Sequence, residues 1–313
     1  MPENNIQHKR FIARKYYSRL DHFLVEFIPD MSRSQIVRLI NDNRVTLNDK
    51  LVTKKNHEIL TDDVIEIEIE EIEPEVYTPS LELRKLFEDE YLLIIDKPEG
   101  ISVHPAPGEH NETILDVFRY NYPQINEIPK MDNDDRPGIV HRLDKDTSGV
   151  MILAKDVVTM RRLQKQFKKR EVQKTYLAFA AGQLRYLNGT IDAPIARNPR
   201  NRIRKKVSTD PIKENARDAV TEYSLIHQYP DFCYVKILPH TGRTHQIRVH
   251  FAHLGNPILG DTLYGKNHPF ERLALHAYSI EFCHPITGNI IKSYARLPEV
   301  LRNYLRGLKV LKK

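Results

Sequence analysis

HRLDKDTSGVMILA, residues 141–154, joins a cluster of charged and turn-forming residues to an uninterrupted apolar run. Asp, Thr, Ser and Gly favour turns, because their short side chains bond to the local backbone and glycine accepts left-handed torsion angles. The run 150–154 predicts a buried strand. Together these patterns place the carboxylate of Asp144 at the mouth of a sheet, beside cations. On residue types alone, an exposed turn with a solvated ion pair is the commoner outcome for such a stretch.

The length and composition predict a two-domain protein, because 313 residues with 40% hydrophobic content can form one large core and a smaller module. The net charge of +6 favours a polyanionic partner, although many proteins this basic bind no nucleic acid. Cys233 and Cys283 lack CxxC spacing, which favours reduced core cysteines over a zinc site. No apolar run approaches a membrane span and residues 1–5 lack the apolar core of a signal peptide, so we expect a cytoplasmic protein that contacts no membrane.

The N-terminal quarter of the chain predicts a small α/β module behind a tail. Residues 1–16 are polar and basic without periodicity, and we expect them to form a flexible tail. The next segments predict two helices followed by strands, over residues 19–27, 32–40, 44–52 and 63–70. The Glu residues that alternate through 63–70 predict a solvated edge strand that discourages further pairing.

Residues 17–73 resemble the S4-like RNA-binding domain. The matching segments are RLD at 19–21, SRSQ at 32–35, RVTLN at 44–48 and DVI at 63–65. The family commonly has glycine where this chain has Asn43, Asp49 and Asp62, and Asn and Asp tolerate the same left-handed backbone. The resemblance implies that the second helix faces RNA and that three arginines contact phosphates: Arg33, Arg38 and Arg44. An ordinary solvent-exposed face explains these arginines as well.

The remaining chain predicts a linker and a larger domain. Residues 74–84 are acidic and proline-containing, which favours a linker, and residues 85–313 alternate strands and helices. The segments predict strands at 91–97, 150–154, 174–180 and 234–238, helices at 157–170 and 244–253, and a hairpin of 273–282 with 290–294. No repeat period is visible, so we expect an α+β fold around a large mixed sheet.

Three further segments combine with the opening motif into a resemblance. KTYLA at 174–178, GRTHQIRVH at 242–250 and LHA at 275–277 follow HRLDxxTSG in order. With this spacing, residues 85–300 resemble the RluA family of pseudouridine synthases, and the S4-like module in front makes the arrangement RluD-like. The resemblance implies a catalytic domain with a large mixed, mainly antiparallel sheet, and an isomerase that needs no cofactor and no metal.

The resemblance also implies roles for individual residues. Pseudouridine formation breaks the bond from uracil N1 to ribose C1′ and rejoins the base through C5. A carboxylate suits this chemistry, either as a nucleophile at C1′ or as a base at C2′, and the sequence does not choose between the routes. The implied catalytic residues are Asp144, Arg248 as its cationic partner, and Tyr176 stacked on the uracil. The implied substrate-binding residues are Arg142, which fills the place of the flipped base, Leu275, His141 and Thr147.

Each of these roles has a plainer alternative. Tyr176 and Leu275 could be ordinary core residues, and Arg248 a helix-surface cation. The basic helix at 157–170 predicts phosphate contacts from five residues, unless it is simply a solvated face: Arg161, Arg162, Lys165, Lys168 and Lys169. The basic run 197–206 has the same two interpretations, phosphate contacts or a solvated face.

Two other kinds of site compete with this interpretation. His245, His250 and His253 are close in sequence, but their spacing spreads them around a helix and no further ligand completes a zinc set. Asp144 and Asp146 could form the carboxylate pair of a glycosidase, although the absence of tryptophan argues against a sugar platform.

We therefore predict an RNA pseudouridine synthase acting on structured RNA, with large-subunit ribosomal RNA as the expected substrate; the sequence leaves open whether tRNA is a second substrate. We expect a monomer. The alternative hypothesis is an RNA-binding ribosome-assembly factor without turnover.

Overall fold

The computed structural model describes residues 5–29, 31–71, 78–105, 111–129, 136–201, 203–265 and 270–310. The chain divides into two compact units, residues 1–77 and 78–313. This division falls within the predicted linker, of which 74–77 lie outside the described residues, as do 1–4 of the predicted tail. No helix in the described ranges is long and apolar enough to cross a membrane.

The described part of the first unit has a four-stranded antiparallel sheet in the order β1-β4-β2-β3. Its elements are β1 (Asn5–Ile12), α1 (Leu20–Phe27), α2 (Arg33–Asn41), β2 (Val45–Leu47), β3 (Lys50–Leu51) and β4 (Val64–Glu71). Both helices form where the sequence predicts them. Ser32 begins α2 through a capping box with Gln35, a feature worth about 1 kcal/mol. Asn43, Asp49 and Asp62 have φ of +60°, +63° and +72°, the left-handed backbone expected where the S4-like family has glycine.

Two predictions for this unit are wrong for one physical reason. Residues 5–12 of the predicted flexible tail form β1, and β4 is an interior strand of the sheet instead of an edge. The basic face of β1 lies directly opposite the acidic face of β4, with His8 across from Glu68 and Arg10 across from Glu66. The Arg10 and Glu66 side chains approach to 3.5 Å. Charge complementarity therefore favours the pairing that the Glu residues alone would have discouraged.

Among the described residues of the second unit, nine strands form one mixed sheet, with the order β5-β6-β7-β14-β8-β13-β12-β9 and β15 beside β14. The strands are β5 (Lys85–Glu88), β6 (Leu92–Lys97), β7 (Ser148–Ala154), β8 (Gln173–Ala181), β9 (Asn188–Asp192), β12 (Val220–Gln228), β13 (Phe232–Pro239), β14 (Leu275–Cys283) and β15 (Ile290–Tyr294). A small ribbon pairs β10 (Ile195–Arg197) with β11 (Lys205–Val207). The ladders are antiparallel except that of β7 with β14. The predicted α+β fold with a mixed, mainly antiparallel sheet is confirmed.

Helices cover the sheet and close two cores. They are α3 (Ile114–Asn121), a 3-10 helix (Pro123–Glu127), α4 (Val157–Lys169), α5 (Gln246–His253) and α6 (Glu299–Val310). One core packs α3 and α4 against β6 and β7, and the other packs α5 and α6 against β8 and β13. Tyr176 on β8 contacts both cores.

The parallel pair of β7 and β14 positions the charged loop. Because parallel strands begin at the same edge of a sheet, residues 141–147 before β7 lie at the edge where Leu275 begins β14. The two strands approach closely at Gly149, whose φ is +118° and where a Cβ atom would collide with the carbonyl of Ala277. Glycine is therefore required at the end of the TSG turn.

Candidate active site

A cavity of about 580 Å³ opens at this edge of the second unit. Its lining comes from the loop before β7, the end of α4, the start of β8, the segment 239–248 and the start of β14. All seven residues to which the resemblance assigned catalytic or substrate-binding roles line it: His141, Arg142, Asp144, Thr147, Tyr176, Arg248 and Leu275. Segments far apart in the chain thus meet in one concave site, as a binding site requires.

The Asp144 carboxylate is held against a charged group that is itself fixed. Arg248 Nη1 lies 3.6 Å from Asp144 Oδ2. The Asp144 side chain is 18% exposed and the Arg248 side chain 4% exposed, so the pair lies at the boundary between protein and cavity. A carboxylate that keeps one face open beside a buried cation can approach a ligand while the cation stays in contact with its other side.

Asp261 is the closer partner of Arg248, and the sequence analysis did not identify it. Arg248 Nε and Nη2 each donate to this carboxylate at 2.8 Å, which leaves Nη1 for Asp144. Asp261 is fully buried, and its Oδ1 also accepts the backbone N–H groups of Leu263 and Tyr264. Burial by itself would lower the pKa of Arg248, but hydrogen bonds and charge from Asp261, together with Asp144, outweigh burial and raise it. The guanidinium therefore stays charged and points in one direction.

Lys97 supports the loop that carries Asp144, and the sequence motifs did not indicate this residue either. Its ammonium group donates to the carbonyls of Pro98, Ile101 and Lys145 at 2.7, 2.8 and 2.9 Å. The side chain is fully buried, and burial lowers the pKa of Lys97 to about 8. Three acceptors match the three N–H groups of an ammonium, so this lysine ties the end of β6 to the loop 141–147.

Tyr176 and Leu275 form the apolar part of the cavity. They lie on the adjacent strands β8 and β14, in a ladder where Tyr176 is opposite Ala277 and Leu275 opposite Ala178. Burial, and then the charge of Asp144, raise the pKa of Tyr176 above its ordinary value, so its hydroxyl stays protonated at neutral pH. A half-buried ring beside a buried leucine offers a surface on which a planar base can stack.

His141 lines the cavity but uses its ring to hold the loop. Its Nε2 accepts the N–H of Ile152 at 2.9 Å, and its ring stacks on Phe167 with centroids 4.7 Å apart. Burial, and then Lys174, lower the pKa of His141 to about 3, so the imidazole is neutral. Arg142 is exposed at the cavity, whereas Thr147 is buried and its hydroxyl has no hydrogen-bond partner among the described residues.

The predicted phosphate contacts divide by their environment. On α4, Lys168 lines the cavity, Arg161 and Lys165 are exposed, and Arg162 donates to the carbonyl of Pro285. Lys169 lies 3.6 Å from a carboxylate oxygen of Glu171.

The three arginines of the first unit that were predicted to contact phosphates also have acidic neighbours. Arg33 donates twice to the buried Asp21, at 2.9 and 2.8 Å. Arg38 lies 3.6 Å from Asp42, and Arg44 lies 3.5 Å from Glu68. Contacts of any of these residues with RNA remain predictions.

The competing kinds of site find no support in the geometry. Asp146 is exposed and does not line the cavity, so it forms no carboxylate pair with Asp144 there. His250 spends both ring nitrogens on Thr221 and Ala193. Within the described ranges, no group of His, Cys, Asp and Glu residues could hold a metal ion.

The RNA pseudouridylate synthase family model matches residues 91–253, and the S4 domain model matches residues 18–65. The chain is 37% identical to the ribosomal large subunit pseudouridine synthase D of Haemophilus influenzae, over 93% of this chain and 91% of that protein. It is 36% identical to an uncharacterized RNA pseudouridine synthase of Synechocystis, over 92% and 89% of the two chains. Among solved structures, human RNA pseudouridylate synthase domain containing 4 superimposes with a TM-score of 0.57 at 26% identity, covering 72% of this chain and 93% of that one. The chain belongs to the RNA pseudouridylate synthase family and carries an S4 domain in front of the synthase domain.

Proposed function

We propose that this pseudouridine synthase isomerises uridine in large-subunit ribosomal RNA, with Asp144 as the carboxylate that acts on the ribose. The observation that carries the proposal is the open carboxylate of Asp144 beside Arg248, which Asp261 fixes from the opposite side. The ribosomal substrate is supported by the named function of the Haemophilus influenzae relative and by the S4 domain.

The reaction needs only groups that the cavity supplies. The N1–C1′ bond breaks, the base turns, a C5–C1′ bond forms, and the proton at C5 leaves while N1 gains one, so the atoms balance without an oxidant. Asp144 attacks C1′ or removes the C2′ proton, and Arg248 stabilises its charged form. Tyr176 stacks on the detached uracil and Leu275 provides an adjacent apolar wall, which keeps the base in place while it turns.

The target uridine must leave its stack before it can reach a carboxylate that is only 18% exposed. Arg142 is exposed at the cavity and has the planar group that can occupy the vacated place. The exposed cations of α4 and of the S4 domain would bind neighbouring phosphates. We propose a monomer as the working form, and the ribosomal substrate named for the Haemophilus influenzae relative supports a cytoplasmic location.

The test is to map pseudouridines in ribosomal and transfer RNA from cells with and without this protein. The proposal predicts that at least one large-subunit position loses its pseudouridine, and that the purified protein restores it on the unmodified RNA. Loss confined to tRNA would contradict the ribosomal assignment. An unchanged map, with ribosome assembly impaired, would favour an RNA-binding assembly factor instead.

A further inference from the structure

In the second unit Lys97 is fully buried and Lys174 is half-buried, and desolvation lowers the pKa of each to about 8. Their surroundings differ. Lys97 donates to three carbonyls, whereas Lys174 has neither a hydrogen-bond acceptor nor an acidic partner among the residues that the structure describes. The protein itself therefore supplies hydrogen-bond acceptors for all three N–H groups of Lys97. Lys174 has no acceptor among the described residues.

The Lys174 side chain lies in the cavity of Asp144. It precedes Tyr176 by two residues on β8, and both line the cavity. Its Nζ lies 3.9 Å from the position that a Cβ atom would take at Gly242, so the missing side chain at Gly242 leaves space beside the ammonium group. The charged neighbour of Tyr176 is Asp144, whereas Lys174 acts electrostatically on His141. Lys174 therefore lies in the part of the cavity near His141, whereas Asp144 lies near Tyr176.

The charges around the cavity indicate what Lys174 accepts. Of the described residues lining the cavity, Asp144 is the only acid, and it is paired with Arg248. The other charged residues of the lining are cations: Arg142, Lys168, Arg170, Lys174 and Arg243. A partly desolvated ammonium without a counter-ion is stabilised more by an anion than by a neutral carbonyl of uracil. The anions of the substrate are its phosphates.

We propose that Lys174 binds a backbone phosphate next to the target uridine and so adds to the affinity of the cavity for the flipped nucleotide. The proposal rests on the function proposed above, because it takes RNA as the ligand. It makes Lys174 a substrate-binding residue whose contribution is to RNA affinity, with the chemical step left to Asp144.

The experiment compares Lys174→Met, Lys174→Arg and the wild type in equilibrium binding to unmodified large-subunit ribosomal RNA transcript across a series of salt concentrations. Lys236→Met is the matched control, because Lys236 is an exposed lysine of the neighbouring strand β13 and does not line the cavity. Loss of one phosphate contact should reduce the slope of log affinity against log salt by about 0.7 in Lys174→Met. The control should keep the wild-type slope.

A pH series adds a readout that a packing role would not change. A bound phosphate favours the protonated lysine, so wild-type RNA affinity should fall as pH rises from 8 to 9.5, by up to about tenfold per pH unit. Lys174→Arg stays charged and should show no such fall. Three other lining residues have shifted pKa values that keep them from titrating in this range: the pKa values of His141 and His245 are lowered by burial, and that of Tyr176 is raised by burial.

Turnover is measured on the same samples by release of tritium from uracil C5. The proposal expects Lys174→Met to raise KM about tenfold with kcat within about twofold of wild type. A wild-type salt slope in a folded Lys174→Met, or a wild-type pH profile in Lys174→Arg, would overturn it. If Lys174→Met does not fold, the arginine variant decides. A wild type that shows the Lys174-dependent slope but releases no tritium would sink the proposed function and leave the phosphate contact standing.

Discussion

Each unit contains a fully buried aspartate paired with arginine, but the two clusters have opposite ratios of acid to base. In the first unit, Asp21 is shared by Arg19 and Arg33, which are 32% and 54% exposed. In the second unit, Arg248 is shared by Asp261 and Asp144, and only Asp144 reaches the cavity. One carboxylate between two cations leaves positive charge at the surface. One cation between two carboxylates leaves a carboxylate with an open face.

Under the proposed function, the same pair of residue types is used for RNA binding in the first unit and for chemistry in the second. A surplus of cations around Asp21 suits a surface that meets phosphates, while it fixes Arg33 as part of the fold. Asp261 neutralises and orients Arg248, so that Asp144 can be held near a cation without being enclosed by it.

Arg248→Met should be the most damaging change. It leaves the buried Asp261 without its partner, which should lower the free energy of unfolding by about 3–5 kcal/mol. Arg33→Met is the matched control, because Asp21 keeps both hydrogen bonds from Arg19, and the expected loss is about 1 kcal/mol. Urea unfolding measures both. Equal losses would mean that the two clusters are energetically alike.

Lys97→Met should separate support of the loop from chemistry. Three carbonyls lose their donor, including that of Lys145 beside Asp144, so the carboxylate should be held less firmly. We expect kcat to fall about 10- to 100-fold with little change in RNA affinity. Steady-state tritium release and binding titrations measure the two quantities. A fall in affinity with wild-type kcat would place Lys97 in RNA binding instead.

The smallest effect concerns acid stability through Asp21. Burial alone would raise the pKa of Asp21, but the hydrogen bonds from Arg19 and Arg33 outweigh burial and lower it. A lowered pKa in the folded state gives stability that is present above the unfolded pKa of about 3.9 and is lost as pH falls through the folded value. Unfolding free energies at pH 5 and pH 2.5 should therefore differ less in Asp21→Asn than in wild type. An equal difference would show that this pair does not contribute to acid unfolding.

Local patterns were sufficient to predict most elements of the fold. The helices α1, α2 and α4, the strand β7 and the hairpin of β14 and β15 have apolar periodicity or turn residues that act within a few positions. β1 has no such pattern, because its stability comes from a strand more than fifty residues away whose charges are opposite. Considered without its partner strand, this polar segment was therefore interpreted as a flexible tail.

The residues of the site could be predicted where their side chains form a sequence motif. They could not be predicted where their role depends on backbone acceptors or on a contact between distant segments. Arg142, Asp144, Tyr176 and Arg248 lie in motifs whose spacing can be read from the chain, and the structure brings them to one cavity. Lys97 binds carbonyl oxygens, which every residue has, so its acceptors leave no trace in the sequence. Asp261 pairs with Arg248 across thirteen residues and a change of element, which no local period indicates.

The reacting role of Asp144 is tested most directly by tritium release from ribosomal RNA labelled at uracil C5, with Asp144→Asn compared with Asp146→Asn. Both changes remove one carboxylate from the same loop, but Asp146 is exposed and lies outside the cavity. Asp144→Asn should lose at least about a thousandfold in rate while it still binds RNA, and Asp146→Asn should stay near wild type. Wild-type turnover by Asp144→Asn, or equal losses in both variants, would contradict the assignment of Asp144 as the reacting carboxylate.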